Sequence, residues 1–251
     1  MKNVPIKGCR MVGLQTDIGN CRELNEDFLD YYEDNSKSIF IIADGMGGYN
    51  AGEVASKLAV DSTLNYLKEL EIDLNNNGET LKKAIEYSNK LIYDKSKGDA
   101  ECSGMGTTIT ASLVIKGTMV VANVGDSSCY IIKKSGISKV TKDHSLVQEL
   151  VDNGSITEEE AINHPKKNVI TRALGTSNLI NIDIFTVDLS DVIKVILCTD
   201  GLTNYLSLDE MHNILCANDN MTACRNLIEL SKEKGGKDNI SVIVFEGEDI
   251  I

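Results

Sequence analysis

Asp44 follows the apolar run Ser38-Ile39-Phe40-Ile41-Ile42-Ala43 and opens the glycine-rich stretch Gly45-Met46-Gly47-Gly48. A β-branched run of that kind reads as a buried strand. A carboxylate at its end stands on a stiff support, and the glycines let backbone carbonyls come close. A hard divalent cation takes such oxygen donors. A tight strand-to-helix turn with Asp44 as a cap would use the same residues, and Asp44-Gly45 alone does not separate the two readings. The pattern recurs, however. The run 193–199 ends on Asp200-Gly201, the run 120–124 ends on Gly125-Asp126-Ser127, Asp238-Asn239 leads into the run 240–245, and Asn25-Glu26-Asp27 precedes Phe28-Leu29. If these strands share one sheet system, their carboxylates meet and repel, and a cation resolves the repulsion.

Arg22 lies four residues before Glu26 and five before Asp27. Two readings stand side by side: a surface ion pair, worth little, or a guanidinium held by carboxylates and offered to a phosphate. His144, in Asp143-His144-Ser145, reads as a capping or satisfied structural histidine, with proton transfer as the alternative.

These residues need a scaffold that brings distant strand ends together. The chain has 251 residues, 42% of them apolar, which suffices for a full core. No linker-like tract divides it, so 1–251 reads as one domain. With 25 basic against 38 acidic residues the net charge is −13, which argues against a nucleic-acid or anionic-membrane partner. The seven cysteines form no C-x-x-C pair and predict reduced thiols, with neither zinc nor a disulfide framework. Residues 1–5 lack the apolar core of a signal peptide, and no apolar run approaches the ~18 residues of a membrane span. A cytoplasmic protein without membrane insertion is expected.

Strands are predicted at 10–16, 28–32 and 39–43, then a helix over 51–70 with the apolar stripe Ala51, Val54, Ala55, Leu58, Ala59, Leu64 and Leu67. A second helix over 80–95 follows the turn Asn75-Asn76-Asn77-Gly78 and aligns Leu81, Ala84, Ile85, Ser88, Leu91 and Ile92. Consecutive helices argue against a βαβ repeat. Residues 107–141 read as an antiparallel meander with a hairpin at Ser135-Gly136. A short helix is expected over 146–152 and another from Thr157, capped with Glu160. The polar, irregular region 144–180 reads equally as a flap over a site or as a surface insertion. Strands at 182–189, 192–199 and 240–246 and helices at 208–216 and 222–232 complete the chain.

In chain order the motifs are Arg22-x-x-Asn25-Glu26-Asp27, Ala43-Asp44-Gly45-Met46-Gly47-Gly48, Gly52-Glu53-x-Ala55-Ser56, Met105-Gly106-Thr107-Thr108, Asn123-Val124-Gly125-Asp126-Ser127, Asp143-His144-Ser145, Thr171-Arg172-Ala173-Leu174-Gly175, Thr199-Asp200-Gly201-Leu202 and Lys237-Asp238-Asn239. Each is weak alone; together, from residue 22 to residue 239, the set resembles the metal-dependent protein serine/threonine phosphatases, the PPM or type 2C family, in its bacterial branch. The resemblance implies an α+β fold, a four-layer αββα sandwich of two antiparallel sheets with helix pairs outside. It implies two manganese or magnesium ions and a third, weaker one. Asp44 would bridge the first two, the Gly45 carbonyl would bind one, and Asp200 and Asp238 the other, so that Asp44, Asp200 and Asp238 carry catalysis. Glu26 would act through water with Asp27 and Asn239 in support, Asp126 would share the third ion with Asp200, and Arg22 would grip the phosphate. A hydroxide between two such ions, ~3.5–4 Å apart, attacks phosphorus in line without a phosphoenzyme. Implied partners are phosphoprotein substrates and a cognate serine/threonine kinase; a monomer is expected.

The chain departs from the family pattern at three places. Tyr49 and Met46 stand where bacterial and eukaryotic relatives respectively carry His, so the usual candidates for a general acid are missing. Ser128 replaces the Arg that usually follows Gly-Asp-Ser. Other functions fit less well. A pseudophosphatase usually loses metal ligands that this chain keeps. Sugar hydrolysis suits poorly a chain with no Trp and 5% aromatics. No P-loop is present, and no Cys is followed by Arg six positions on.

Overall fold

Alternation along the strands sorts apolar side chains into separate cores. In β3 (Ser38–Met46), Ile39, Ile41 and Ala43 face one way and Phe40 and Ile42 the other. In β11 (Ile240–Glu246), Ile240, Val242 and Val244 oppose Ile243 and Phe245. Strands buried on both faces need a covering layer on each.

The computed structural model describes residues 11–47, 51–70 and 76–247. Pro5, Cys9, Arg10, Gly48, Tyr49 and Asn75 lie outside them. One sheet has the order β1 (Val12–Asp17), β11, β10 (Lys194–Cys198), β7 (Ser128–Lys133) and β8 (Gly136–Lys139). The other runs β2 (Asp27–Glu33), β3, β5 (Ile109–Ile115), β6 (Thr118–Val124) and β9 (Asp183–Asp188), with β4 (Gly106–Thr107) paired to the end of β3. All of these pairings are antiparallel. Helices α1 (Ala51–Glu69) and α2 (Asn77–Gly98) cover the β3 sheet. The short α5 (Asp200–Thr203), α6 (Leu208–Ala217) and α7 (Asn220–Glu233) cover the β11 sheet. Between the sheets Phe40 stacks on Phe245, centroids 3.8 Å apart. The result is the expected αββα sandwich.

A buried lysine locks each helix layer to its sheet. Lys37, just before β3, donates from Nζ to the carbonyls of Leu67 (2.7 Å), Lys68 (3.1 Å) and Leu70 (2.8 Å) at the end of α1. Lys194, at the start of β10, donates to Leu215 (2.9 Å) and Asn218 (2.6 Å) at the end of α6. Cations at helix C-termini satisfy free carbonyls and oppose the dipole.

The structure revises several expectations. β3 runs on through Asp44 and Gly45, because Gly45 and Met46 pair with Thr107 and Gly106. Asp44 is therefore a strand residue. Residues 107–141 are not one meander: β5 and β6 belong to one sheet and β7 and β8 to the other, and the chain crosses at Gly125-Asp126-Ser127. Asn77 and Gly78 belong to α2. Val54 is 37% exposed and leaves the α1 stripe. Within 144–180, α3 (Leu146–Asp152) is capped by Ser145, and α4 (Glu158–Ile162) has the predicted Thr157–Glu160 capping box. The described cysteines are free thiols, Cys21 and Cys216 exposed and the others buried. Among the described residues no helix is long and apolar enough to cross a membrane.

Candidate active site

Asp44 shares a face of β3 with Phe40 and Ile42, so its carboxylate belongs to the space between the sheets. Asp27, directly opposite it in register, shares its face of β2 with Leu29 of the same inter-sheet core. Asp200 follows β10, Asp238 and Asn239 precede β11, and Asp126 lies in the crossover after β6. With antiparallel pairing, these positions fall at one end of the sandwich. There a cavity of about 300 Å³ is lined by Arg22, Glu26, Asp44, Gly45, Asp126, Asp200, Asp238 and Asn239. Asp27 is buried behind it and accepts the Thr199 hydroxyl at 2.9 Å.

The surroundings hold these groups in place. Asp44 donates its N–H to Thr108 Oγ1 (2.9 Å), and its carbonyl accepts from Thr108 N–H (2.9 Å) and Thr107 Oγ1 (2.8 Å). Gly45 donates to the Glu26 carbonyl at 3.1 Å, and a Cβ on it would strike the Gly52 carbonyl of α1. Asn239 accepts the Glu26 N–H at 2.9 Å and donates to the carbonyls of Ile18 and Leu24, both at 3.0 Å. That ties the loop bearing Arg22 and Glu26 to Asp238. Asn204 donates to Asp200 Oδ2 at 3.0 Å.

Electrostatically the cavity is a crowd of like charges. Burial, then Asp27, Asp200, Asp126 and Asp238, push the Asp44 carboxyl well above its usual range. Burial and then neighbouring carboxylates raise Asp27 to about 7, Asp126 to about 8 and Asp200 to about 6. Burial raises Glu26 too. Arg22, half exposed, meets Asp238 Oδ2 at 2.9 Å; it is both ion-paired and at the cavity. Asp27 Oδ1 and Asp200 Oδ1 are buried without a hydrogen-bond partner among the described residues. Orphaned, mutually repelling oxygens are hard donors, and this donor set fits divalent cations of the magnesium and manganese type. Among the described residues no three His, Cys, Asp or Glu side chains are drawn tightly enough to ligate one ion as they stand; the carboxylates face a shared cavity instead.

The remaining lining comes from Met46, Gly47 and Thr108 and from Asn168 and Ile170 of the 144–180 segment, which therefore reaches the site. The roles of Thr108, Asn168 and Asn204 were not read from the sequence. Asn204 left a signal, being four residues from Asp200 at helical spacing, and Thr108 stands in the motif Met105-Gly106-Thr107-Thr108; Asn168 left none. His144 is buried, with Nδ1 accepting the Gly125 N–H at 3.0 Å, as the structural reading expects.

The family model for protein phosphatase 2C matches residues 21–227. The serine/threonine phosphatase stp of Listeria welshimeri is 39% identical over 236 residues, covering 92% of this chain and 94% of its own. The crystal structure of serine/threonine phosphatase Stp1 from Staphylococcus aureus superposes with a TM-score of 0.90 at 32% identity, covering 98% of both chains. That of Mycobacterium tuberculosis PstP/Ppp gives 0.85 at 32% identity, covering 94% of this chain and 98% of its own. With fold, cavity and sequence in agreement over nearly the whole chain, it belongs to the protein phosphatase 2C family of metal-dependent enzymes.

Proposed function

We propose that this protein serine/threonine phosphatase hydrolyses phosphoserine and phosphothreonine in the cavity lined by Asp44, Asp200 and Asp238, with manganese or magnesium held there. Asp44, the Gly45 carbonyl, Asp200 and Asp238 would hold two ions, Glu26 contributing through water. Asp27 supports them from behind, and Asp126 with Asp200 would hold a third. When bound, the ions supply Lewis acidity, making a nucleophile of water near neutral pH and neutralising phosphoryl charge. The chain's own residues do the rest. Arg22 is steered by Asp238 and offers its remaining N–H groups to phosphoryl oxygens. Asn239 fixes Glu26 against Asp238, and Thr108 fixes Asp44. Among the described residues no histidine lines the cavity, and water would protonate the departing serine or threonine oxygen. The whole chain would act as one domain, as a cytoplasmic monomer facing the targets of a cognate serine/threonine kinase.

The observation that carries this reading is that acidic residues from distant segments face one cavity while buried carboxylate oxygens lack partners. The test is manganese-dependent phosphate release from a phosphothreonine peptide. Asp44→Asn and Asp200→Asn should each lower kcat/KM by ~10³-fold or more, the worth of several kcal/mol of lost metal assistance. Near wild-type turnover in either variant would remove that residue from the metal site. Arg22→Ala should raise KM more than it lowers kcat; unchanged kinetics would take Arg22 out of phosphate binding.

A further inference from the structure

After β6 the chain crosses between the sheets through Gly125-Asp126-Ser127. Gly125 has φ +108°, and a Cβ there would run into Thr108. Such a turn keeps its shape only if its peptide groups are fixed. His144 fixes both groups of Gly125: its backbone N–H donates to the Gly125 carbonyl at 2.9 Å, and its Nδ1 accepts the Gly125 N–H at 3.0 Å. Because Nδ1 accepts, the ring proton sits on Nε2. Nε2 lies 3.2 Å from Asp183 Oδ2, and Arg172 Nη1 donates to Asp183 Oδ1 at 2.8 Å. Arg172 Nη1 is also 3.1 Å from Nε2, but both atoms carry hydrogen, so Asp183 is the acceptor for each. The same histidine anchors the segment behind it. Its carbonyl accepts the Thr171 N–H at 2.8 Å, and Ser145 bridges to Ile170, a residue of the cavity wall. The ring is 4% exposed and does not line the cavity. Nothing in its contacts gives it a chemical task; every one of them holds backbone or orients the ring.

We infer that His144 is a positioning residue: through Nδ1 it sets the turn that places Asp126 on the cavity wall, and it couples that carboxylate to the base of the segment contributing Asn168 and Ile170. The inference rests on the reading that Asp126 holds a cation.

Two substitutions separate the two ends of the ring. His144→Asn keeps an acceptor near Nδ1 and loses the reach to Asp183. His144→Gln keeps a donor near Nε2 and leaves the Gly125 N–H unpaired. The measurement is calorimetric titration of chelator-treated protein with Mn²⁺ alone, with Asp126→Asn marking the binding event that depends on Asp126. His144→Gln should weaken that event by about 10–100-fold, as loss of an orienting partner does, and leave the tighter events unchanged. It should also raise the Mn²⁺ concentration needed for half-maximal phosphopeptide turnover. His144→Asn should stay close to wild type. The reverse order, or two variants that both bind like wild type, would overturn the inference. Should Asp126→Asn leave the titration unchanged, the cation reading of Asp126 fails and the inference falls with it. Asp183→Asn serves if His144→Gln does not fold: with Nδ1 untouched the Asp126-dependent event should persist, and its loss would count against Nδ1.

Discussion

At the scale of single residues, the cavity carboxylates are buried and held where they repel. In the chelated protein Asp27, Asp126 and Asp200 rise to about 7, about 8 and about 6, from an ordinary 3.8. An acid whose pKa is raised on folding binds more protons folded than unfolded between the two values, so rising pH favours unfolding across that window. Their contribution is full below about pH 4 and is lost by about pH 8. Asp34 and Glu210, lowered to about 2 by local hydrogen bonds, act only below that window. Buried His144 is lowered and runs the other way, one group against the raised carboxyls, Asp44 and Glu26 among them. Chelated protein should therefore have a lower urea midpoint at pH 8 than at pH 5. Saturating Mn²⁺, which favours the ionised carboxylates, should reverse the order. A midpoint flat with pH under chelator would mean that the carboxylates are neither buried nor confronting one another. Asp126→Asn should flatten the chelated dependence while impairing turnover, separating stability from function at one residue.

At the scale of elements, strands and their ends present the cavity carboxylates, and polar residues from other elements hold them. The cavity carboxylates were legible because an acidic residue closing an apolar run is conspicuous, and so were the strands and helices, from their apolar periods. Sheet membership was not. β5, β6, β7 and β8 read alike whichever sheet receives them, and β7 finds β10 more than sixty residues away in sequence. The extension of β3 past Asp44 depends on β4, a two-residue strand with no pattern of its own. Asn168 is an ordinary polar residue until the fold supplies its neighbours, and Thr108, though in a motif, shows its task only when β3 is beside it. Lys37 was equally silent, yet it closes the end of α1. Lys37→Met should cost about 1–3 kcal/mol, since buried carbonyls lose their donor. The nineteen residues of α1 span ~28 Å, and Lys37 holds the end remote from Gly52. Denaturant titration should register the loss while kcat/KM with saturating Mn²⁺ stays put; an equal fall in turnover would mean that the α1 layer transmits strain to the cavity.

At the scale of the whole molecule, the formal charge of −13 opposes the substrate. Two or three divalent cations would leave the protein negative, and a phosphorylated side chain brings roughly −1.5 to −2 of its own. On the proposed reading, attraction to the phosphate would then be local, from the cations and Arg22, while the long-range field repels acidic partners. Fields of this kind act on encounter and fade beyond a Debye length of about 10 Å at 0.1 M salt. A phosphothreonine peptide flanked by Asp and Glu should accordingly gain kcat/KM as salt rises, and one flanked by Lys and Arg should lose it. The two trends should converge at high salt, because local contacts persist when the field is screened. The effect should lie in kcat/KM with little change in kcat, since bound substrate has already crossed the field. Steering of this sort changes association by roughly tenfold or more. Steady-state kinetics on both peptides across a salt series, at saturating Mn²⁺, provide the comparison. Parallel salt dependence for the two would show that the overall charge takes no part in choosing substrates, and that selection lies with the residues lining the cavity.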